Sequence, residues 1–403
     1  MSTPTSTVKP VFIPSQRLAN VKPYLLAKVF GAKEEQLRKG VDVIDLGVGN
    51  PDLRPPDEAI RALEAALRDP AVHNHQYPPF AGLPEFKQAV ATWYQNRFGV
   101  ALEPQTEAIA LGGSKEGIVK FLLSELNPGD SLMVCSPCYP AYLGACALAQ
   151  ANVVEVPLTA AHGFRPDLSA IPADVARAAK GIVVNFPGNP TGGTETPEFY
   201  RELLAFAREY DLFVLSDIAY CDISLDPAYR TQSFLEFDRD KERTIEFHSF
   251  SKSYSMQGWR VGFAAGSRDA IAQLARLKSN MDFGVFMAVQ RAAIAVLTGP
   301  QDYPARASAL YRARRDAWLD GIRPLGFPVD PPKAGLYVWM PLPRGASNAI
   351  DFAADLLQKT GVLVAPGTAF GPAGEGYMRI ALCEPEDRLR EAGARLVRAG
   401  VKY

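Results

Sequence analysis

Short apolar runs alternate with helical patterns along the first two thirds of the chain. The runs lie at 108 to 111, 131 to 135, 152 to 156, 181 to 186, 212 to 217, 244 to 250 and 261 to 265, and segments such as E-F-Y-R-E-L-L-A-F-A-R-E-Y separate them. Strands that alternate with helices are typical of a doubly wound, mostly parallel sheet. The sequence therefore predicts a large α/β domain.

The last hundred residues show a different pattern. From about 301 a charged helical stretch leads into L-Y-V-W-M-P-L, a helix near 349 to 359, V-L-V-A-P-G and an amphipathic helix at 386 to 399. With 403 residues, of which 47% are hydrophobic, the chain is long enough for two domains. We expect a smaller α+β domain here.

One lysine lies in an unusual setting. Between Phe247 and Gly262 the chain reads F-H-S-F-S-K-S-Y-S-M-Q-G-W-R-V-G, which places Lys252 among hydroxyl residues and eight positions before Arg260. A lysine has a free pKa of about 10.4, and condensation with an aldehyde is the simplest way to remove its charge. Pyridoxal phosphate supplies an aldehyde, and its phosphate suits Ser249, Ser251 and Arg260. Taken alone, the stretch could also be an ordinary turn with a solvated lysine.

Two further segments end in polar residues. I-V-V-N-F-P-G-N-P-T-G at 182 to 192 fixes Asn189 just past a strand, and L-F-V-L-S-D-I-A-Y at 212 to 220 ends in Asp217 and Tyr220. Ligands of open α/β sheets bind at such strand ends. A carboxylate there can pair with a pyridinium nitrogen, and a phenol and an amide can hydrogen-bond a ring oxygen.

In this order and spacing, Lys252, Asp217, Tyr220, Asn189 and Arg260 resemble the fold-type I pyridoxal phosphate enzymes, specifically the class I/II aminotransferases. The resemblance extends from about residue 41 to the end. It implies that Lys252 binds the cofactor covalently and that Asp217 pairs with the pyridine nitrogen. It also implies that Tyr220 and Asn189 contact the ring oxygen.

The resemblance assigns further cofactor contacts. Arg260 and Ser249 match phosphate ligands, and L-G-G-S-K-E-G at 111 to 117 adds Ser114 and Lys115, where a glycine turn opens a helix. Tyr139 matches an aromatic ring that stacks on the cofactor.

Two other tyrosines receive different interpretations. We expect Tyr142 to serve helix packing. Tyr77 matches a tyrosine that reaches the cofactor phosphate of the partner subunit, which implies a homodimer.

The expected substrate contacts lie near both chain ends. Arg379, in G-E-G-Y-M-R-I-A-L, matches the family arginine that grips the substrate α-carboxylate, although its local sequence also suits a surface strand. Gly49 matches a turn that passes the substrate, and Asn189 and Tyr24 are further candidates. The resemblance also implies a small domain built from both ends, with segments 1–45, 46–300 and 301–403.

The implied activity is ping-pong transfer of an amino group from an amino acid to a 2-oxo acid. Within the family, segments such as R-L-A-N-V-K-P-Y-L at 17 to 25 and K-S-N-M-D-F-G-V-F at 278 to 286 are most similar to LL-diaminopimelate aminotransferases. Those enzymes use LL-diaminopimelate and 2-oxoglutarate in lysine biosynthesis. The chain departs from the family at Gly188 and Cys138, so alanine, methionine, aspartate or aromatic amino acids stay alternatives, with strict aspartate specificity disfavoured.

Two other classes of function share the cofactor core or the fold. A pyridoxal phosphate lyase would use the same cofactor contacts. A transcription regulator is disfavoured because about 40 residues precede Asp42, too few for a DNA-binding domain.

Charge and cysteine content limit the expected partners. The net charge is −1, which gives no basic surface for nucleic acid, and no apolar run approaches the roughly 20 residues of a membrane span. Five scattered cysteines and a start without an apolar signal core favour reduced thiols in the cytoplasm. Cys135 and Cys138 form a single C-x-x-C, so no metal site is expected.

Overall fold

A computed structural model describes residues 12–23, 25–70 and 73–403, so the predicted substrate contact Tyr24 lies outside the described residues. Within them the strands are β1 Ile44–Asp45, β2 Ala108–Leu111, β3 Ser131–Ser136, β4 Asn152–Pro157, β5 Ala179–Asn185, β6 Phe213–Asp217, β7 Thr244–Ser249, β8 Gly262–Gly266, β9 Tyr337–Pro341, β10 Val362–Leu363, β11 Ala365–Pro366 and β12 Tyr377–Ala381.

The α-helices of the same residues are α1 Gln16–Ala19, α2 Leu25–Arg38, α3 Asp57–Arg68, α4 Pro84–Phe98, α5 Pro104–Glu107, α6 Ser114–Glu125, α7 Ala141–Ala149, α8 Ala173–Ala178, α9 Pro197–Glu209, α10 Phe250–Ser253, α11 Arg268–Lys278, α12 Met287–Thr298, α13 Asp302–Ile322, α14 Ala349–Thr360 and α15 Glu386–Arg398. No helix in these ranges is both long enough and apolar enough to pass through a bilayer.

The large sheet contains all seven apolar runs of the sequence pattern. Its strand order in the described chain is β2-β8-β7-β6-β5-β3-β4, and β8 alone runs antiparallel to both of its neighbours there. The carboxyl ends of β2, β3, β5, β6 and β7 therefore meet at one edge of the sheet. This confirms the predicted doubly wound, mostly parallel architecture.

Helices cover both faces of the large sheet. On one face Val134, Leu215 and Phe247 pack with Phe121 of α6 and with residues of α7 and α11. On the other face strand residues pack with Phe199 and other residues of α9. Burial on both sides explains why the strand sequences are continuous apolar runs rather than alternating ones.

Helix ends follow local sequence signals. α9 begins after Thr196, whose hydroxyl accepts the Phe199 N–H at 3.2 Å, and Pro197 occupies its first turn. α14 ends at Gly361, whose φ of 70° is the left-handed conformation that glycine adopts without strain.

The two ends of the chain meet in the smaller part of the molecule. β1 pairs in parallel with β10, and β9, β11 and β12 form an antiparallel sheet in the order β11-β12-β9. Asp42 accepts hydrogen bonds from Arg388 and Arg395 of α15. This pairing combines segments from both ends, while the domain boundaries at 45/46 and 300/301 stay a prediction.

Candidate active site

A cavity of about 270 Å³ opens at the carboxyl edge of the large sheet, between that sheet and the smaller part of the molecule. Its lining comprises Gly47, Val48, Gly49, Ser114, Lys115, Tyr139, Asn185, Asn189, Asp217, Ala219, Tyr220, Ser249, Ser251, Lys252, Gln257, Arg260, Tyr337 and Arg379. The predicted site residues from the described chain therefore meet here, with the exception of Tyr77. A wider groove of about 840 Å³ near Phe98 and Lys241 contains none of them.

Lys252 enters the cavity from the short helix α10, directly after strand β7. Its ammonium donates a hydrogen bond of 2.8 Å to the Gly49 carbonyl, and it lies 5.8 Å from the centre of the Tyr220 ring. An amine that is held by one carbonyl can leave that partner to react with a ligand in the cavity.

Asp217 lies at the end of β6 and is buried. Its Oδ2 accepts a 2.6 Å hydrogen bond from the Tyr142 hydroxyl, while its Oδ1 has no hydrogen-bond partner among the described residues. Burial raises the pKa of this carboxyl to about 6, against the lowering effect of Tyr142. An ionised carboxylate here requires a cationic or N–H partner from within the cavity.

Tyr142 packs in the core as predicted, and it has a second role that the sequence analysis did not predict. Its ring is buried in α7, as expected, but its hydroxyl also orients Asp217. Asn185 was missed as well: its amide donates to the Asp217 carbonyl at 2.7 Å and accepts the Asn189 N–H at 2.8 Å. Asn185 thereby joins the ends of two neighbouring strands. Its position as the last residue of an apolar run was the available signal.

A glycine turn between β2 and α6 forms a cradle for an anion. Arg260 donates to the Gly112 carbonyl at 3.1 Å, and a Cβ on Gly113 would lie 2.4 Å from the Arg260 guanidinium. Ser114 begins α6, so its backbone and the positive helix end face the cavity. Ser249, Ser251 and Lys115 line the same cavity.

Arg379 is held in a fixed orientation on β12. It is 3% exposed, and its guanidinium lies 4.1 Å from the Tyr337 ring centre and 4.5 Å from that of Phe370. It donates to Asn189 Oδ1 at 2.8 Å and to the Gly47 carbonyl at 2.7 Å. Stacking between two rings leaves the edge of a planar guanidinium for an anionic ligand.

Tyr220 and Tyr337 form the wall between Lys252 and Arg379. Their hydroxyl oxygens are 2.9 Å apart, and burial raises the pKa of Tyr220 well above its usual value. A Cβ on Gly49 would lie 2.1 Å from the Tyr337 hydroxyl, so the close approach of this turn requires glycine. Sequence reasoning did not find Tyr337, which lies within an ordinary-looking strand.

Tyr77 is placed away from the cavity of its own chain. It is 78% exposed, and its ring lies 4.4 Å from that of Phe283. Phe80, Met281 and Phe286 are further exposed apolar side chains of the same region.

The cavity fits pyridoxal phosphate. Asp217 Oδ1, which has no partner in the described part of the chain, suits a pyridinium N–H; the glycine turn with Arg260 suits a phosphate, and the Lys252 amine suits an aldehyde. Tyr139 also lines the cavity, where an aromatic ring can cover one face of a flat ligand.

Comparison with known proteins agrees with this donor set. Residues 41–396 match the family model described as aminotransferase class I and II. LL-diaminopimelate aminotransferase from Desulforudis audaxviator is 48% identical over 385 residues, covering 96% of this chain and 97% of the relative. The protein of the same name from Moorella thermoacetica is 47% identical over 384 residues, covering 95% and 97%. Substrate-bound BacF from Bacillus subtilis superposes with a TM-score of 0.93 at 32% identity, covering 97% and 99%.

Proposed function

Because this chain belongs to the class I and II aminotransferases, we propose that it moves an amino group between LL-diaminopimelate and 2-oxoglutarate. The enzyme is a pyridoxal phosphate-dependent aminotransferase whose substrates are an amino acid and a 2-oxo acid. One observation carries the choice of substrate, the 48% identity over nearly the whole chain to a relative of that name. The assignment places the enzyme in lysine biosynthesis.

The proposed roles follow from the positions of the side chains. When bound, pyridoxal phosphate supplies an aldehyde that condenses with amines and a ring that accepts electrons. Lys252 removes the proton from the substrate α-carbon and later delivers one, since its amine reaches into the cavity from α10. Asp217 stays ionised and holds a proton on the ring nitrogen through Oδ1, for which residues 12–23, 25–70 and 73–403 offer no partner.

Arg379 is proposed to bind the substrate α-carboxylate. Its stacked guanidinium needs no reorientation, so little side-chain entropy is lost when an anion binds. Asn189 Oδ1 accepts a hydrogen bond from the Arg379 guanidinium and keeps the plane of that group fixed. Gly49 lets its turn pass directly against the Tyr337 side chain at the wall of the cavity.

The test of substrate choice is a single-turnover absorbance titration of the cofactor-loaded enzyme with LL-diaminopimelate, glutamate, alanine, aspartate, methionine and phenylalanine. We expect fast loss of the visible absorption with LL-diaminopimelate and glutamate and a weak response to the others. Arg379→Lys serves as the matched variant, because it keeps the charge but loses the planar fork. It should weaken the apparent affinity for the reactive amino acids by about tenfold or more.

Other outcomes of this titration have definite meanings. Faster conversion of alanine, methionine, aspartate or phenylalanine would replace the proposed substrate. Release of a keto acid without conversion of the cofactor to its aminated form would indicate a lyase. Steady-state kinetics with both substrates should give the parallel lines of a ping-pong mechanism.

We also propose that the enzyme is a homodimer. The exposed apolar side chains around Tyr77 and Phe283 form a surface that a second copy would cover, and Tyr77 does not line the cavity of its own chain. Sedimentation analysis should give about twice the mass of one chain, and Phe283→Asp should shift it toward the monomer. A wild-type monomer at assay concentration would contradict the proposal.

The cytoplasm is the proposed compartment. The five cysteines are buried free thiols, which suits a reducing environment. The proposed partners are the substrates and a second copy of the chain, without nucleic acid or membrane. Fractionation of the source cells would test the compartment.

A further inference from the structure

Two buried lysines and two carboxylates form a compact cluster behind the glycine turn. Lys120 of α6 pairs with both Glu116 and Asp282, and Lys278 of α11 lies 2.6 Å from Asp282 and 3.6 Å from Glu116. Lys278 is 1% exposed, and the Lys120 side chain is nearly as buried. Burying two ammonium groups is costly unless each is paired, and here each has both carboxylates within reach. We call these four residues the ion cluster.

The ion cluster is attached to the turn that would hold the cofactor phosphate. Glu116 Oε2 accepts the Gly112 N–H at 2.9 Å, while Arg260 donates to the carbonyl of the same glycine at 3.1 Å. Gly112 is thus held from one side by a carboxylate and from the other by a guanidinium. Each of the two peptide groups that flank the Gly112 α-carbon is therefore held by one of these bonds, and neither can rotate without breaking its own.

The position of Glu116 creates an electrostatic problem. A carboxylate beside a phosphate site repels the ligand, and partial burial of Glu116 weakens the screening of that repulsion by water. Lys120 and Lys278 supply two positive charges against the two negative charges of Glu116 and Asp282, so the cluster is neutral as a whole. Burial raises the pKa of Asp282, but the hydrogen bonds from Lys120 and Lys278 outweigh it and hold the pKa at about 2, so Asp282 is ionised at neutral pH.

We propose that Glu116 is a positioning residue for the cofactor phosphate and that Lys120 and Lys278 cancel its charge so that it can occupy this place. The inference rests on the proposed assignment of the glycine turn as the phosphate cradle. It assigns a role to four side chains that do not line the cavity.

Equilibrium binding to the cofactor-free enzyme tests the proposal with two probes, pyridoxal phosphate and pyridoxal, which differ only in the phosphate. Lys278→Met leaves the cluster with a net negative charge and should weaken pyridoxal phosphate binding roughly tenfold, with pyridoxal binding unchanged. Glu116→Gln keeps an oxygen for Gly112 and should retain wild-type affinity or better. The double variant is neutral again and should recover the affinity lost in Lys278→Met. Asp355→Asn, which breaks an exposed ion pair with Lys359 on α14, is the control and should bind both probes normally.

Several results would overturn the proposal. They are unchanged pyridoxal phosphate affinity in Lys278→Met, an equal loss for both probes, no recovery in the double variant, or a large loss in Glu116→Gln alone. If Lys278→Met does not fold, Lys120→Met replaces it, since it also leaves the cluster with a net negative charge and should weaken pyridoxal phosphate binding in the same way. The Glu116→Gln result is then read against that variant. Failure of the wild-type protein to bind pyridoxal phosphate would instead contradict the cofactor assignment itself.

Discussion

Replacing Lys252 with alanine is expected to abolish aminotransfer and to remove the visible absorption of the bound cofactor. The variant lacks the amine that attaches the aldehyde and the group that moves the α-proton, and positioned proton transfer alone contributes typically about 10²–10⁴-fold. The measurements are steady-state turnover and an absorbance spectrum of the purified variant after incubation with pyridoxal phosphate.

The control for this variant is Lys359→Ala, since Lys359 is an exposed lysine of α14 that pairs only with a surface carboxylate in the described structure. It should keep both the activity and the spectrum. Retention of turnover by Lys252→Ala would remove the basis for the assigned role of Lys252. A lost spectrum with normal turnover would separate the attachment of the cofactor from the chemistry.

Asp217→Asn is expected to lower turnover on the order of 10²–10³-fold while the cofactor stays bound. The amide has almost the shape of the carboxylate, and Tyr142 can still donate to its oxygen. It carries no negative charge, however, so it cannot stabilise a proton on the ring nitrogen. Turnover and cofactor content per chain are the two measurements, and Asp217→Ala should lose at least as much activity. Near-normal turnover would contradict the assigned role of Asp217.

The same substitution should stabilise the cofactor-free enzyme. The pKa of Asp217 is raised from 3.8 to about 6 by burial, so between these values the folded chain holds a proton that the unfolded chain has released. Stability therefore falls as the pH rises from about 4 to about 6, by at most about 3 kcal/mol, and is level above that. Asp217→Asn escapes this loss, so its advantage in denaturant unfolding should grow across that window. A difference in stability that does not change with pH would contradict a raised pKa of Asp217 as its cause.

The fold and most of the cavity could be predicted from the sequence because their signals are local. Each strand of the large sheet is a continuous apolar run, and Asp217 and Asn189 each follow such a run directly. The prediction that Arg379 joins these residues depended on the resemblance to a family, since nothing near residue 379 distinguishes a buried arginine from one on a surface strand.

The unpredicted parts of the cavity depend on contacts between distant segments. Tyr142 and Asp217 are 75 positions apart, and Tyr220 and Tyr337 are 117 apart, so no spacing rule connects either pair. A tyrosine on the core-facing side of a helix looks the same in the sequence whether or not its hydroxyl hydrogen-bonds a carboxylate. The ion cluster was invisible for the same reason, because Lys120 and Asp282 are 162 positions apart.

The pairing of β1 with β10 has a consequence for synthesis on the ribosome. Ile44 cannot meet Val362 until nearly the whole chain has been made, whereas the strands of the large sheet are complete once Gly266 has emerged. The proposed cofactor contacts within one chain, from Ser114 to Arg260, belong to the part that is synthesised before this closure. Gly49 and Arg379 come together only at the end. The growing chain can therefore acquire a pocket for its cofactor before it has a place for its substrate, an order of assembly set by connectivity.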